Sequence, residues 1–180
     1  MARLNVGCGD YPLLYWINLD SDPTKRADIH ADALEHLQGC ADGLYDEIYA
    51  GHVIEHMPRD VALAFLRECY RVVIPGGRVG VVVPDTRIIM QRWLAEARDM
   101  IEFPEGTWNS IADLDSICEL FLYSTVQDSH HQWSYDERTL ARIMHEAGFE
   151  RLTEIDRYRD PRIPVGGWYQ CGLNGYKEEP

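Results

Sequence analysis

The stretch LNVGCGD, Leu4–Asp10, joins a short apolar segment to a turn that contains two glycines. The apolar part is typical of a strand that is buried on both faces. Glycine has no Cβ, so Gly7 and Gly9 would let a ligand approach the backbone closely. The G-x-G pattern also occurs in tight turns that bind nothing, so the motif alone leaves both interpretations open.

The residues after this turn disfavour a dinucleotide. A complete fingerprint, G-x-G-x-x-G, needs a third glycine for close packing of the next helix, and Pro12 stands there instead. An NAD-dependent oxidoreductase is therefore a disfavoured alternative. The connection from Gly9 to Trp16 is also too short for the usual crossover helix, so we predict a loop or a single turn.

Asp20 ends the second apolar run, Trp16–Leu19. A carboxylate at the end of a strand can accept hydrogen bonds from both hydroxyls of a ribose. The alternative is that Asp20 and Asp22, with Pro23, form a solvated turn, for which aspartate is a common residue.

Two further apolar runs, Asp46–Ala50 and Val79–Val83, are predicted to be buried strands. A helix between them would begin near Pro58. Its apolar face is predicted to comprise Val61, Phe65, Cys69 and Val73. Pro75–Gly77 predicts a turn into the Val79 strand, and such βαβ units are parallel and right-handed in nearly all cases.

Two helices, Arg87–Met100 and Ile111–Leu122, are predicted beyond the fifth strand but do not fit the regular alternation. We interpret Met100–Trp133 as a helical insertion, a lid or part of an acceptor site, at the ligand-binding edge of the sheet. Its aromatic residues are predicted either to wall an acceptor pocket or to pack a fixed cap; they are Trp108, Phe121, Tyr123 and Trp133.

Regular structure resumes at Ser134, which with Glu137 resembles a capping box for a helix that Gly148 can end. Two strands, Phe149–Ile155 and Trp168–Leu173, would follow. Joined by residues 160–167, they are predicted to form an antiparallel hairpin at one edge of the sheet.

The bulk composition is that of one domain spanning residues 1–180. The chain has 17 Lys and Arg against 30 Asp and Glu, a net charge of -13, which makes nucleic acid an unfavourable partner. Its five cysteines are scattered, which favours reduced thiols in the cytoplasm. No apolar run approaches the roughly 20 residues of a membrane span, and we expect neither export nor an anchor.

Four motifs in this order resemble one family. They are LNVGCG (Leu4–Gly9), NLD (Asn18–Asp20), YDEIYAGHVIEH (Tyr45–His56) and YRVVIPGG (Tyr70–Gly77). Together they resemble class I S-adenosylmethionine-dependent methyltransferases, in particular small predicted methyltransferases with a Gly-Cys-Gly first motif. The resemblance covers Leu4–Pro84 closely and Ser134–Lys177 loosely. It implies a Rossmann-like, doubly wound, mostly parallel sheet with S-adenosylmethionine as cofactor.

The resemblance also implies which residues contact that cofactor: Val6, Gly7, Cys8, Gly9, Asp20, Ser21, Asp32, Ala33, Gly51 and His52. By this resemblance, the glycine turn would pass under the methionine part of the cofactor, and Asp20 would hold its ribose. Asp32 would bind the adenine amino group with Ala33 beside the ring, and Gly51 with His52 would line the methyl donor. Asp32 is equally suited to be the N-cap of a helix over Leu34–Leu37.

Methyl transfer often requires removal of a proton, which histidine performs well near neutral pH. The candidate catalytic residues are His52, His56, Asp85, His130 and His131. Each histidine is otherwise an ordinary surface or hydrogen-bonded residue. The spacing of His52, Glu55 and His56 partly resembles the E-x-x-E-H metal motif of certain O-methyltransferases, but many metal-free relatives carry H-x-x-E-H, so we predict no metal.

Gly51-His52 stands where amino-nitrogen methyltransferases carry an Asn-Pro-Pro-Tyr type motif. We therefore expect transfer to a hydroxyl of a small molecule or saccharide. The alternative is a non-catalytic protein that binds S-adenosylmethionine or a partner through a degenerate methyltransferase fold. Because the sequence starts at the first predicted strand, we expect either the Met100–Trp133 insertion or a second subunit of a homodimer to cover the cofactor; otherwise the pocket stays open.

Overall fold

Seven strands and four helices make up the part of the chain that the computed structural model describes, residues 2–94, 131–156 and 169–179. The strands are β1 (Arg3–Val6), β2 (Ile17–Asp20), β3 (Ile29–His30), β4 (Tyr45–Gly51), β5 (Val73–Pro84), β6 (Arg151–Glu154) and β7 (Gln170–Tyr176). The helices are α1 (Ala33–Gln38), α2 (Arg59–Val72), α3 (Thr86–Leu94) and α4 (Glu137–Ala147), and a 3-10 turn spans Ile54–His56.

The strands form one sheet in the order β3-β2-β1-β4-β5-β7-β6. Strands β1 to β5 run parallel, and β7 is antiparallel to both β5 and β6. This confirms the predicted Rossmann-like α/β class with its antiparallel C-terminal hairpin. The strand order changes direction between β1 and β4, so their carboxyl ends flank the point where such sheets bind ligands.

The connection between β1 and β2 contains no helix, as its length predicted. The buried side chain of Asn18 holds it in place instead. Its Oδ1 accepts hydrogen bonds from the amide of Leu13 at 2.8 Å and from Asn5 Nδ2 at 2.9 Å, and its Nδ2 donates to the Leu13 and Trp16 carbonyls. One buried amide thus satisfies backbone groups that a crossover helix would satisfy internally.

Pro75–Gly77 was predicted to be a turn between a helix and a strand, and the structure places it inside β5. Val73 already pairs with Tyr45, and the next pair joins Arg78 to Glu47. The extra residues bulge out of the ladder, with Gly76 at φ +76. The positive φ of Gly76 was correctly predicted. The bulge that contains Gly76 shifts the register of β5 against β4 instead of reversing the chain.

Two predicted details were wrong by a few residues. The N-cap of α4 is Asp136, which forms a capping box with Thr139, rather than Ser134 with Glu137. On α2 the fully buried face is shifted from the predicted one and comprises Ala62, Phe65, Leu66, Cys69 and Val72. Val61 is only half-buried, and Val73 already belongs to β5. Gly148 ends α4 at φ +114, as predicted.

Three predictions concern segments outside the described residues: the end of the helix over Arg87–Met100 beyond Leu94, the helix over Ile111–Leu122, and the connection over residues 160–167. Most of the Met100–Trp133 insertion lies there too.

Candidate cofactor and catalytic site

The turn after β1 places both of its glycines in the left-handed region, Gly7 at φ +63 and Gly9 at φ +51. A Cβ on Gly7 would lie 2.6 Å from Cγ2 of Val53, whereas a Cβ on Gly9 would meet no atom within 4 Å. Gly7 is therefore required by packing against the segment after β4. Gly9 leaves open space above the turn, and this is the room that a ligand needs.

Asp20 joins this turn to the end of β2. Its Oδ2 accepts a hydrogen bond from the amide of Gly9 at 2.7 Å, and its Oδ1 accepts one from the amide of Asp22 at 2.9 Å. The carboxylate is half-buried, and the adjacent Ser21 is exposed. Each carboxylate oxygen can accept a second hydrogen bond, so the turn-forming role and the predicted ribose contact are compatible.

Cys8, between the two glycines, is buried, as is Val6 before them. The amide of Cys8 donates to the carbonyl of Leu19 at 3.1 Å. Burial, and after it the negative charge of Asp20, raises the pKa of the Cys8 thiol to about 11. The thiol is therefore neutral near pH 7, and Cys8 contributes to the turn as a small apolar residue.

Asp32 is the N-cap of α1, because its Oδ1 accepts a hydrogen bond from the amide of Glu35 at 3.0 Å. The capping function that we considered from the sequence is thus present. Asp32 is exposed and Ala33 half-buried, so both remain accessible to a ligand. Contact with adenine stays a prediction.

Gly51 is the last residue of β4 and His52 follows it, at the edge of the sheet where β1 ends. A Cβ on Gly51 would lie 2.7 Å from the Tyr49 hydroxyl, so this glycine also has a packing function. His52 adopts φ +57 while its amide donates to the Val82 carbonyl at 2.9 Å. A non-glycine residue in the left-handed region is uncommon, and such conformations cluster at functional sites.

The ring of His52 pairs with a buried carboxylate, since its Nδ1 lies 3.0 Å from Oε1 of Glu55. Only 1% of Glu55 is exposed. Burial opposes the charged form, but the hydrogen bond with His52 and the nearby His56 and His131 outweigh it and hold the pKa of Glu55 below its usual value. Glu55 is therefore a carboxylate at neutral pH and fixes the orientation of the His52 ring.

His131 joins this group from a distant part of the sequence. The centroids of its ring and the His56 ring are 4.7 Å apart, with the planes inclined by 75°. The amides of Gln132 and Trp133 both donate to the Glu55 carbonyl, and Gln132 Nε2 donates to the His56 carbonyl at 3.0 Å. Three of the predicted catalytic histidines thus lie around Glu55, which the sequence did not single out as their centre. The fourth, His130, lies outside the described residues.

Asp85 has a structural function that the sequence did not predict. It is 2% exposed, and its Oδ1 accepts a hydrogen bond from the amide of Ile88 at 3.1 Å, in the first turn of α3. Burial raises the pKa of its carboxyl group. A catalytic function for Asp85 stays a prediction.

A cavity of about 340 Å³ lies between the segment 132–135 and the helices α2 and α4. Its lining residues are Arg59, Gln132, Trp133, Ser134, Tyr135, Thr139, Arg142 and Ile143. Gln132 belongs to this lining, and its side chain also donates to the His56 carbonyl, so the cavity lies next to the 3-10 turn that contains His56. Its volume is in the range of small-molecule sites.

Comparison with known families identifies the domain to which these residues belong. Residues 4–154 match the family model described as a methyltransferase domain, so the chain belongs to that family. With the fold, this confirms the resemblance to class I S-adenosylmethionine-dependent methyltransferases and supports S-adenosylmethionine as the cofactor. No curated protein matches the sequence significantly.

Several solved structures share the fold at low sequence identity. A methyltransferase from Archaeoglobus fulgidus has a TM-score of 0.62 and 15% identity, over 98% of this chain and 86% of that one. A methyltransferase from Thermotoga maritima has a TM-score of 0.63 and 15% identity, over 98% of this chain and 82% of that one. Phosphoethanolamine N-methyltransferase 2 of Haemonchus contortus, in complex with S-adenosyl-L-methionine, has a TM-score of 0.58 and 11% identity, over 99% of this chain but 49% of that one.

Among the described residues, no helix is both long and apolar enough to cross a membrane.

Proposed function

We propose that this protein transfers the methyl group of S-adenosylmethionine to a hydroxyl of a small molecule or saccharide. The observation that carries the proposal is the pair of His52 and Glu55, with 3.0 Å between Nδ1 and Oε1, directly after β4. Val53, the residue after His52, packs against Gly7, so the pair of His52 and Glu55 lies beside the glycine turn. A hydroxyl attacks a methyl group readily only as its proton leaves, and an imidazole oriented by a carboxylate can accept that proton.

The cofactor would lie over the turn after β1. Bound there, it supplies an electrophilic methyl group on a sulfonium. The open space above Gly9 fits a ligand, and the half-buried Asp20 carboxylate would accept hydrogen bonds from the ribose hydroxyls. Asp32 and Ala33 would contact the adenine ring, and Gly51 with His52 would line the reacting methyl group.

The acceptor would occupy the cavity beside His56. Its lining combines the aromatic ring of Trp133 with the amide of Gln132, the hydroxyl of Thr139 and the guanidinium of Arg142. These groups donate and accept hydrogen bonds in the way that a polyhydroxylated small molecule requires. Alignment of the acceptor hydroxyl with the methyl group is a main task of such a site, because in-line displacement depends on geometry.

The experiment is transfer of labelled methyl groups to a panel of small hydroxylated acceptors and monosaccharides, compared with S-adenosylhomocysteine binding by calorimetry. We expect turnover by the wild type and a loss of about 10²- to 10⁴-fold in kcat for His52→Gln. The exposed His145, on the last turn of α4, provides the control His145→Gln, which should keep full activity. Cofactor binding without turnover on any acceptor would favour the non-catalytic alternative.

A further inference from the structure

We propose that Glu55, His56 and His131 bind one divalent transition-metal ion of the Zn²⁺ type. A carboxylate oxygen of Glu55 and one ring nitrogen of each histidine all lie within 4.8 Å of one another. Two imidazoles and one carboxylate are a donor set that suits Zn²⁺ and neighbouring first-row ions. From the sequence we predicted no metal, although the spacing of His52, Glu55 and His56 partly resembles a metal motif. The place of His131 beside Glu55 and His56 was not predicted, because His131 is remote in sequence from both.

A second observation concerns the carboxylate itself. Oε1 of Glu55 is held by His52, whereas Oε2 is buried and has no hydrogen-bond partner among the described residues. A buried charged oxygen without a partner costs free energy, and a cation bound to it would remove that cost. His52, through its hydrogen bond with Oε1, would then orient the Glu55 carboxylate, as residues that hydrogen-bond to metal ligands commonly do.

Backbone hydrogen bonds hold the two segments that carry the three donors next to each other. Residues 131–133 are attached to the 3-10 turn by hydrogen bonds from the amides of Gln132 and Trp133 to the Glu55 carbonyl, at 2.7 and 3.2 Å. Bonds to Zn²⁺ are about 2.0 to 2.2 Å long, so the donor atoms must approach more closely than 4.8 Å. His56 is exposed, so its ring would have to turn inward when an ion binds.

Three protein ligands leave at least one position on the ion for water or for an oxygen of another molecule. The metal site does not depend on the proposed methyl transfer, and the two are tested separately.

The test uses untagged protein dialysed against a chelator and titrated with Zn²⁺ by calorimetry, and with Co²⁺ by visible absorption. We expect one ion per chain at micromolar affinity or tighter, with Co²⁺ absorption typical of four or five ligands. His131→Ala and Glu55→Gln should each weaken binding at least tenfold, whereas His145→Ala should leave it unchanged. Circular dichroism confirms that each variant is folded.

If Glu55→Gln fails to fold, His131→Ala and His56→Ala decide the result. A wild type that binds no ion, or a folded His131→Ala variant that binds as tightly as the wild type, would overturn the proposal. S-adenosylhomocysteine binding is measured on the same metal-free samples and should persist, so that a failed metal site and a failed cofactor site give different results.

Discussion

The amide of Gly9 donates a 2.7 Å hydrogen bond to Oδ2 of Asp20, so the turn after β1 is attached to the end of β2. One carboxylate therefore shapes the proposed cofactor turn and also lies where the ribose is expected. Any substitution at Asp20 therefore affects both functions.

Asp20→Ala should weaken S-adenosylhomocysteine binding by about 10- to 100-fold. Hydrogen bonds to a charged group contribute about 1.5 to 3 kcal/mol, and the carboxylate is lost together with its hold on Gly9. Calorimetric titration measures the change. Asp22→Ala is the matched control, because Asp22 Oδ1 accepts only local hydrogen bonds from the amide and the hydroxyl of Thr24 among the described contacts. Equal affinity for Asp20→Ala and the wild type would exclude Asp20 from the site.

Gly7→Ala and Gly9→Ala should have different consequences. Both residues have positive φ, which costs an alanine about 1 to 2 kcal/mol. Only the Gly7 substitution also collides with Val53, so it should lower the melting temperature more. Gly9→Ala should mainly reduce cofactor binding. The double variant Gly7→Ala/Val53→Ala should recover part of the lost stability, and a failure to recover any would show that the collision is not the cause.

Asp28→Asn should lower the melting temperature at pH 7, and the difference from the wild type should disappear in acid. Oδ2 of Asp28 accepts hydrogen bonds from the amide of Asn18 at 2.8 Å and from its Nδ2 at 3.2 Å, and these bonds hold the pKa of Asp28 below its ordinary value. Because the folded pKa lies below the unfolded one, the stabilisation is present above about pH 3.8 and is lost as pH falls through the folded pKa. Melting curves across pH measure this. Glu150→Gln, at an exposed position, is the control and should leave the melting temperature close to that of the wild type.

Asp136→Ala should destabilise the protein by about 1 kcal/mol, since the N-cap side chain of α4 no longer accepts the hydrogen bond from the amide of Thr139. Ser134→Ala should change the free energy of unfolding by less than about 0.5 kcal/mol. Urea denaturation of the two variants compares them directly. The reverse ranking would restore Ser134 as the cap.

The strands that build the proposed cofactor edge were predictable because each is a short apolar run. β3 was not located, because Ile29–His30 has only two residues and one of them is exposed. The cap of α4 was misplaced by two residues because both Ser134 and Asp136 are good N-caps, and only packing of the helix selects one.

The part of the site whose residues lie close together in the sequence was predictable. The glycine turn and Asp20 lie close together in the sequence, so the family resemblance of two neighbouring motifs is enough to identify them. The approach of His131 to His56 depends on how a segment far along the chain returns to the 3-10 turn. Tertiary contacts of this kind leave no periodic signal in a single sequence.

β7 lies inside the sheet, between β5 and β6, although it is made after both. A nascent chain that has not yet reached residue 170 can assemble β1 to β5, but one side of β5 then has no neighbouring strand and β6 has no place in the sheet. Exposed strand edges are the surfaces through which incomplete chains pair with one another. Ribosome pausing ahead of residue 170 would therefore favour aggregation, however well the earlier strands have folded.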